Sequence, residues 1–150
     1  MTQDGGWWLD AMLVIVSDLD RSMEFYTDVC GLQEFVRGPD HALLGLKTTG
    51  FPALALREAD RRGVRGGQQS LGIRGCSFYV GTDAELDQVE ARLRSRSAFE
   101  DRQRCGKDDR VQLVRGHDPD RLPLGFLSYE APLTSDDYRE MLRCVYSWDL

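Results

Sequence analysis

The sequence predicts an α+β fold of two βαβββ modules followed by a C-terminal helix, and three observations carry that prediction. Short runs rich in Val, Ile and Leu alternate with two amphipathic stretches. Each amphipathic stretch opens on a capping signature, Ser17 with Asp20 and Thr82 with Glu85. The order of elements restarts after a Gly-rich segment at 59–72, so the chain repeats one unit of element order without repeating its residues.

Taken in order, Met12–Val16 is an uncharged apolar run of strand length. Leu19, Met23, Tyr26 and Cys30 then recur at helical spacing, and Gly31 supplies the left-handed turn that often ends a helix. Gln33–Arg37, Ala42–Lys47 and Phe51–Arg57 read as three strands, separated by the turns Gly38-Pro39-Asp40 and Thr48–Gly50. The third should have an antiparallel partner. Module one thus covers about 9–58. The connector, 59–72, has neither helical nor strand periodicity. Module two, about 73–130, begins with a strand at Cys76–Val80 and a helix whose apolar face is Leu86, Val89 and Leu93. Glu90 and Arg94 can pair on its wet side. Phe99–Cys105, Arg110–Arg115 and Leu122–Tyr129 are three further strand candidates. The last helix, about 134–148, can be capped by Thr134 and Asp137; Tyr138, Met141, Leu142 and Val145 share one face, extended by Trp148. That face must bury on this domain or on a neighbour.

Composition narrows the function classes. A chain of 150 residues, 41% apolar and 29% charged, makes one ordinary globular domain. No apolar stretch is long enough to cross a membrane as a helix, and the N-terminus lacks a basic and apolar leader, so the expectation is a cytoplasmic protein. A net charge of −6 argues against binding nucleic acid through its phosphates. Cys30, Cys76, Cys105 and Cys144 show no metal or redox spacing and read as small apolar residues.

The element order, with VSDLDRSMEFYTDVCGL in the first half and GHDPDRLPLGFLSYE at the end, resembles the vicinal oxygen chelate superfamily of glyoxalases, bleomycin-resistance proteins and extradiol dioxygenases. The resemblance spans roughly Leu9 to Glu130 and implies paired modules whose curved mixed sheets surround one cleft. In style, HALLGLKTTGFPALALREAD and DPDRLPLGF are similar to the metal-free N-terminal domain of two-domain extradiol dioxygenases.

Metal-bearing members of that superfamily place His, Gln or Glu on the first and last strand of each half. The resemblance puts those positions on Ala11, Ala55, Gly75 and Gly125, none of which carries a donor atom. His41 and His117 are the only imidazoles, and neither occupies such a position. The expectation is therefore no metal and no cofactor, with metal-dependent glyoxalase or dioxygenase chemistry disfavoured in this chain. Small residues at all four positions fit either lost function or a cleft emptied for an organic ligand.

Strand parity extends the candidate ligand-binding set to Leu13, Arg57, Ser77, Tyr79, Leu127 and Tyr129. Phenols, a hydroxyl and aliphatics suit an aromatic or polycyclic small molecule; the same tyrosines could simply finish a core. Tyr79, Tyr129 and His117 are the acid–base candidates of an alternative reading, a metal-independent isomerase or cyclase. His117 could equally bond within its own turn, as could His41 beside Asp40. Arg57, Arg61, Arg62, Arg65 and Arg74 cluster around the connector, either as a solvated loop or as a lid for an anion. A third reading is an accessory subunit of an extradiol-type dioxygenase. A homodimer is expected, with Trp7, Trp8 or the last helix in the contacts.

Overall fold

The computed structural model describes residues 12–59, 75–130 and 133–146, less the side chains of residues 138, 139, 142, 145 and 146. Ala11, Trp7, Trp8, Arg61, Arg62, Arg65, Arg74 and Trp148 lie outside the described residues. The fold is α+β, in two compact units, Met1–Arg65 and Gly66–Leu150.

In the first unit, β1 (Met12–Val16) runs parallel to β4 (Pro52–Glu58), followed in the sheet by β3 (His41–Leu46) and β2 (Leu32–Arg37), both antiparallel to their neighbours. Helix α1 (Leu19–Asp28) packs on β2, β3 and β4 and buries Leu19, Met23, Phe25 and Tyr26. Val16, Ala42, Leu44, Leu54 and Leu56 complete that core. The N-cap of α1 is Asp18, one residue later than the Ser17–Asp20 signature suggests; its carboxylate accepts from Arg21 N–H at 2.9 Å. Ser17 accepts instead from the Arg21 guanidinium, which leaves the Asp18 carboxylate to cap. Glu58, at the far end of β4, accepts the Leu19 N–H at 2.8 Å, a second satisfied donor supplied from 39 residues away. Cys30 falls beyond the end of α1, and Gly31 takes the left-handed conformation, φ +67°.

The second unit repeats the strand order: β5 (Cys76–Tyr79), β8 (Pro123–Ser128), β7 (Val111–His117), β6 (Phe99–Cys105), with β5 and β8 parallel. Helix α2 (Asp83–Ser95) has the expected reciprocal capping box between Thr82 and Glu85 and buries Leu86, Val89 and Leu93. Glu90 and Arg94 pair as expected. Ser97, φ +55°, closes α2: Ala98 N–H returns to Leu93 O and Ser97 N–H to Arg94 O. Gly116 is required where β7 meets this turn, since a Cβ there would sit 2.5 Å from the Ala98 carbonyl oxygen. A 3₁₀ turn at Lys107–Asp109, not foreseen from the sequence, joins β6 to β7.

Helix α3 (Ser135–Tyr146) packs on β6 and β7. Met141 and Cys144 cover Cys105, Val111, Leu113 and Leu127. These residues alternate along their strands with the row facing α2, where Gln112 and Ser128 meet Asp83 and Gly116 meets Leu93. The two helices therefore cover opposite faces of one sheet, and β8 is buried from Leu124 through Ser128. In β1, by contrast, exposure alternates. Of the apolar side chains of α3 that are described, Met141 and Cys144 bury on its own unit.

Candidate ligand-binding faces

The parallel pairing of β1 with β4 sets Leu13 opposite Ala55 and Ile15 opposite Arg57. Leu43 pairs with Ala55 and His41 with Arg57 on β3, so all six belong to the face turned away from α1. Val36, opposite Leu43, extends it. Leu13 is 57% exposed, Ile15 53% and Val36 49%, an apolar surface edged by the Arg57 cation. Three of the ligand-binding candidates named from the sequence, Leu13, Ala55 and Arg57, come together here with His41; Ile15, Val36 and Leu43 were not named. For Ile15 the signal was present, since it shares strand parity with Leu13. The Phe35 ring lies over Gly45, where a Cβ would come within 2.3 Å of it.

His41 starts β3 and bonds through Nδ1 to the Asp40 carboxylate at 2.8 Å. That bond, with His41 and Arg57 charges adding to it, holds Asp40 below the usual aspartate range.

In the second unit, Ser77 lies opposite Gly125 and Tyr79 opposite Leu127. Gly75 precedes β5 with the same parity. Ser77 and Tyr79 are exposed, Tyr79 at 59%, whereas Gly125 and Leu127 are buried, Leu127 beneath α3. The Tyr79 and Tyr129 rings meet with centroids 4.9 Å apart and planes at 52°. The Tyr79 hydroxyl donates towards the carbonyl oxygens of Tyr129 (3.3 Å) and Gly81 (3.4 Å), which spends its proton on holding the ring in place. As placed, Tyr79 exposes its ring while its hydroxyl is turned to backbone carbonyls.

His117 ends β7, half-buried, with Nδ1 3.0 Å from the carbonyl oxygen of Asp118. A carbonyl only accepts, so Nδ1 is the donor in this contact. Asp118 itself is fully buried and accepts N–H bonds from Asp120 and Leu122 at 2.8 Å each, which folds the Asp-Pro loop into β8. Cys76 faces the other way, and burial, helped by the Asp118 charge, pushes its thiol up to about 11.

A polar depression of about 510 Å³ at the start of α2 involves Thr82, Asp83, Arg104, Arg110, Ser128 and Glu130. Asp83 there already accepts from Ser128 (2.9 Å) and Gln112 (2.5 Å). Of the ligand-binding candidates named from the sequence, Tyr129 alone lines it.

The metal question turns on donors. Ala55, Gly75 and Gly125 present none, and the residues beside them on the same faces are Leu13, Arg57, Ser77 and Leu127. Among the described residues, no three His, Cys, Asp or Glu side chains come together. This set does not fit a transition-metal centre.

Two four-stranded sheets of identical order, each entered by a strand and a capped helix, define a paired βαβββ protein. A sequence-family model described as the Glyoxalase/Bleomycin resistance protein/Dioxygenase superfamily matches residues 8–120, and the chain belongs to that superfamily. Among solved structures, a glyoxylase/bleomycin resistance protein/dioxygenase domain from Frankia sp. EAN1pec is 26% identical with a TM-score of 0.70, covering 84% of this chain and all of its own. The fold is shared with lactoylglutathione lyase from Agrobacterium tumefaciens (20% identity, TM-score 0.60, 83% of this chain and 96% of that one). It is shared too with the fosfomycin resistance protein FosX from Listeria monocytogenes (13%, 0.62, 83% and 94%). No curated protein matches the chain significantly. Among the described residues, no helix is long and apolar enough to cross a membrane.

Proposed function

We propose that the protein is a metal-free small-molecule-binding member of its superfamily, taking an aromatic or polycyclic ligand. One observation carries the reading. Where metal-bearing relatives need donors, the first unit has Ala55 beside exposed Leu13 and Ile15, and the second has Gly75 and Gly125 beside exposed Tyr79. Exposed apolar area of this kind favours stacking and burial of a flat ligand, at roughly 25 cal/mol per Å² removed from water. Elemental analysis of the purified protein, followed by titration with aromatic compounds, tests it. A stoichiometric metal content, or binding that depends on restoring a metal, would overturn it.

A homodimer belongs to this proposal: a second copy would close over a ligand held on Leu13, Ile15 and Val36, so that ligand and partner share that apolar face. Sedimentation analysis should give twice the chain mass. Cytoplasmic residence belongs to the proposal as well, since four cysteines without disulfide or metal spacing in the sequence suit a reducing compartment.

The same exposed face supports a second reading, an accessory subunit in the style of the extradiol N-terminal domain, whose catalytic partner would cover it. Co-purification with a separately encoded metal-bearing domain would favour that reading over ligand binding.

A further inference from the structure

We propose that Cys105 and Cys144 form a reversible disulfide that fastens α3 to the second sheet. The inference is independent of which ligand the protein takes, since it concerns only contacts within the second unit.

Cys105 is the last residue of β6 and is buried; Cys144 lies in the last turns of α3 and is half-buried. Both belong to the cluster that α3 makes with the sheet, and the two thiols are hydrogen-bonding neighbours. Everything else around them brings the helix end to this point. The carbonyl oxygen of Cys144 accepts from Arg115 Nη1 (3.3 Å) and from Gln103 Nε2 (3.5 Å), residues of β7 and β6. At the other end of α3, Asp137 accepts the Lys107 N–H at 2.8 Å and closes a capping box with Thr134. A helix pinned at both ends holds its cysteine in register with the strand.

Cys76 is not an alternative partner for Cys105. The two stand on opposite edge strands, β5 and β6, three strand spacings of about 4.8 Å apart, and point to opposite faces. A disulfide spans Cα atoms only about 4.4–6.8 Å apart.

The chemistry assigns the two sulfurs different parts. Burial, reinforced by the Cys144 side chain, pushes the Cys105 thiol up to about 12, so Cys105 does not start the reaction. Cys144 is the less buried of the two residues and so the one we assign to meet an oxidant first, with the Arg115 guanidinium within electrostatic range to offset negative charge during attack. With a hydroperoxide as oxidant, the Cys144 sulfur attacks the O–O bond. An S–O bond forms, the O–O bond breaks, the thiol proton goes to the departing oxygen, and Cys144 becomes a sulfenic acid. The Cys105 sulfur then attacks Cys144. The S–S bond forms, the S–O bond breaks, and the Cys105 proton leaves with the hydroxide as water. Two thiols lose two electrons, and the peroxide is reduced.

The test is to expose the reduced full-length protein to hydrogen peroxide and map disulfides by non-reducing peptide mass spectrometry, with amide exchange followed across α3. The expected result is an intramolecular Cys105–Cys144 link that dithiothreitol reverses, accompanied by roughly tenfold slower exchange in α3. Cys144→Ser should abolish both effects, and Cys76→Ser should abolish neither. A link from Cys105 or Cys144 to Cys30 or Cys76, a link between chains, over-oxidation of Cys144 without a link, or a link that leaves α3 exchange unchanged would each overturn the proposal.

Discussion

Arg115 on β7 donates from Nη1 to the carbonyl oxygen of Cys144 on α3 at 3.3 Å, while its Nε holds Asp101 at 2.7 Å. One guanidinium thus braces a strand pair and collects a carbonyl from the negative end of a helix. Asp101 keeps the Arg115 charge in place, holding its pKa above the ordinary arginine value. Arg115→Met should loosen α3 before it loosens the sheet. Amide exchange should speed up across Ser135–Tyr146 by about tenfold, equivalent to roughly 1.5 kcal/mol for a hydrogen bond to a charged group. Exchange in α2 should not change.

The carboxylate of Glu58 satisfies the Leu19 N–H at the start of α1 from the end of β4. Glu58→Ala should lower stability in urea by about 1 kcal/mol without changing the m-value, and Glu58→Gln, which keeps an acceptor, by less. Equal losses in the two variants would show that the bond contributes little.

Asp137 is held below the ordinary aspartate value of 3.8 by hydrogen bonds from the backbone and hydroxyl of Thr134, then from Lys107, with Arg110 adding charge. A depressed folded pKa means the stabilisation is present above the unfolded value and is lost as pH falls through the folded one. Docking of α3 should therefore weaken in acid, below about the ordinary carboxylate range. Glu90, lowered chiefly by its hydrogen bond from Arg102 and then by Arg94, adds a second acid-sensitive contact on the other side of the sheet. The comparison with Asp137→Asn separates the two: in that variant α3 should exchange faster at neutral pH and lose most of its acid dependence.

Leu127 and Tyr79 are register partners with different surroundings. Leu127 is 4% exposed beneath Met141 and Cys144, and Leu127→Ala should cost about 2–5 kcal/mol of stability in chemical denaturation. Tyr79 is 59% exposed, so Tyr79→Ala should cost little stability. Loss of its ring should instead weaken an aromatic ligand by about threefold to tenfold, the range of one aromatic pair.

The fold was legible in the sequence because each element is locally consistent. Leu86, Val89 and Leu93 mark one helical face, Thr82 and Glu85 cap it, and the structure joins them as the pattern requires. Strand parity was equally legible, which is why Leu13, Ala55 and Arg57 share a face. What local pattern does not encode is which face of which sheet a distant helix will cover. The apolar stripe of α3 announced a burial partner without naming it, and Leu113, Val111 and Leu127 alternate in the same way whether solvent or α3 lies opposite. Long-range single contacts, such as Glu58 to Leu19 and Arg115 to Cys144, leave no periodic trace at all.

The most direct measurement is calorimetric titration of metal-stripped protein, its metal content checked by elemental analysis, with catechol, 1-naphthol and an anthraquinone as probes. The account predicts saturable binding of at least one of them without added metal, weakened either by Leu13→Asp on the first unit's face or by Tyr79→Ala on the second's. Failure of all three to saturate, or saturation only after zinc, iron or nickel is restored, would contradict it.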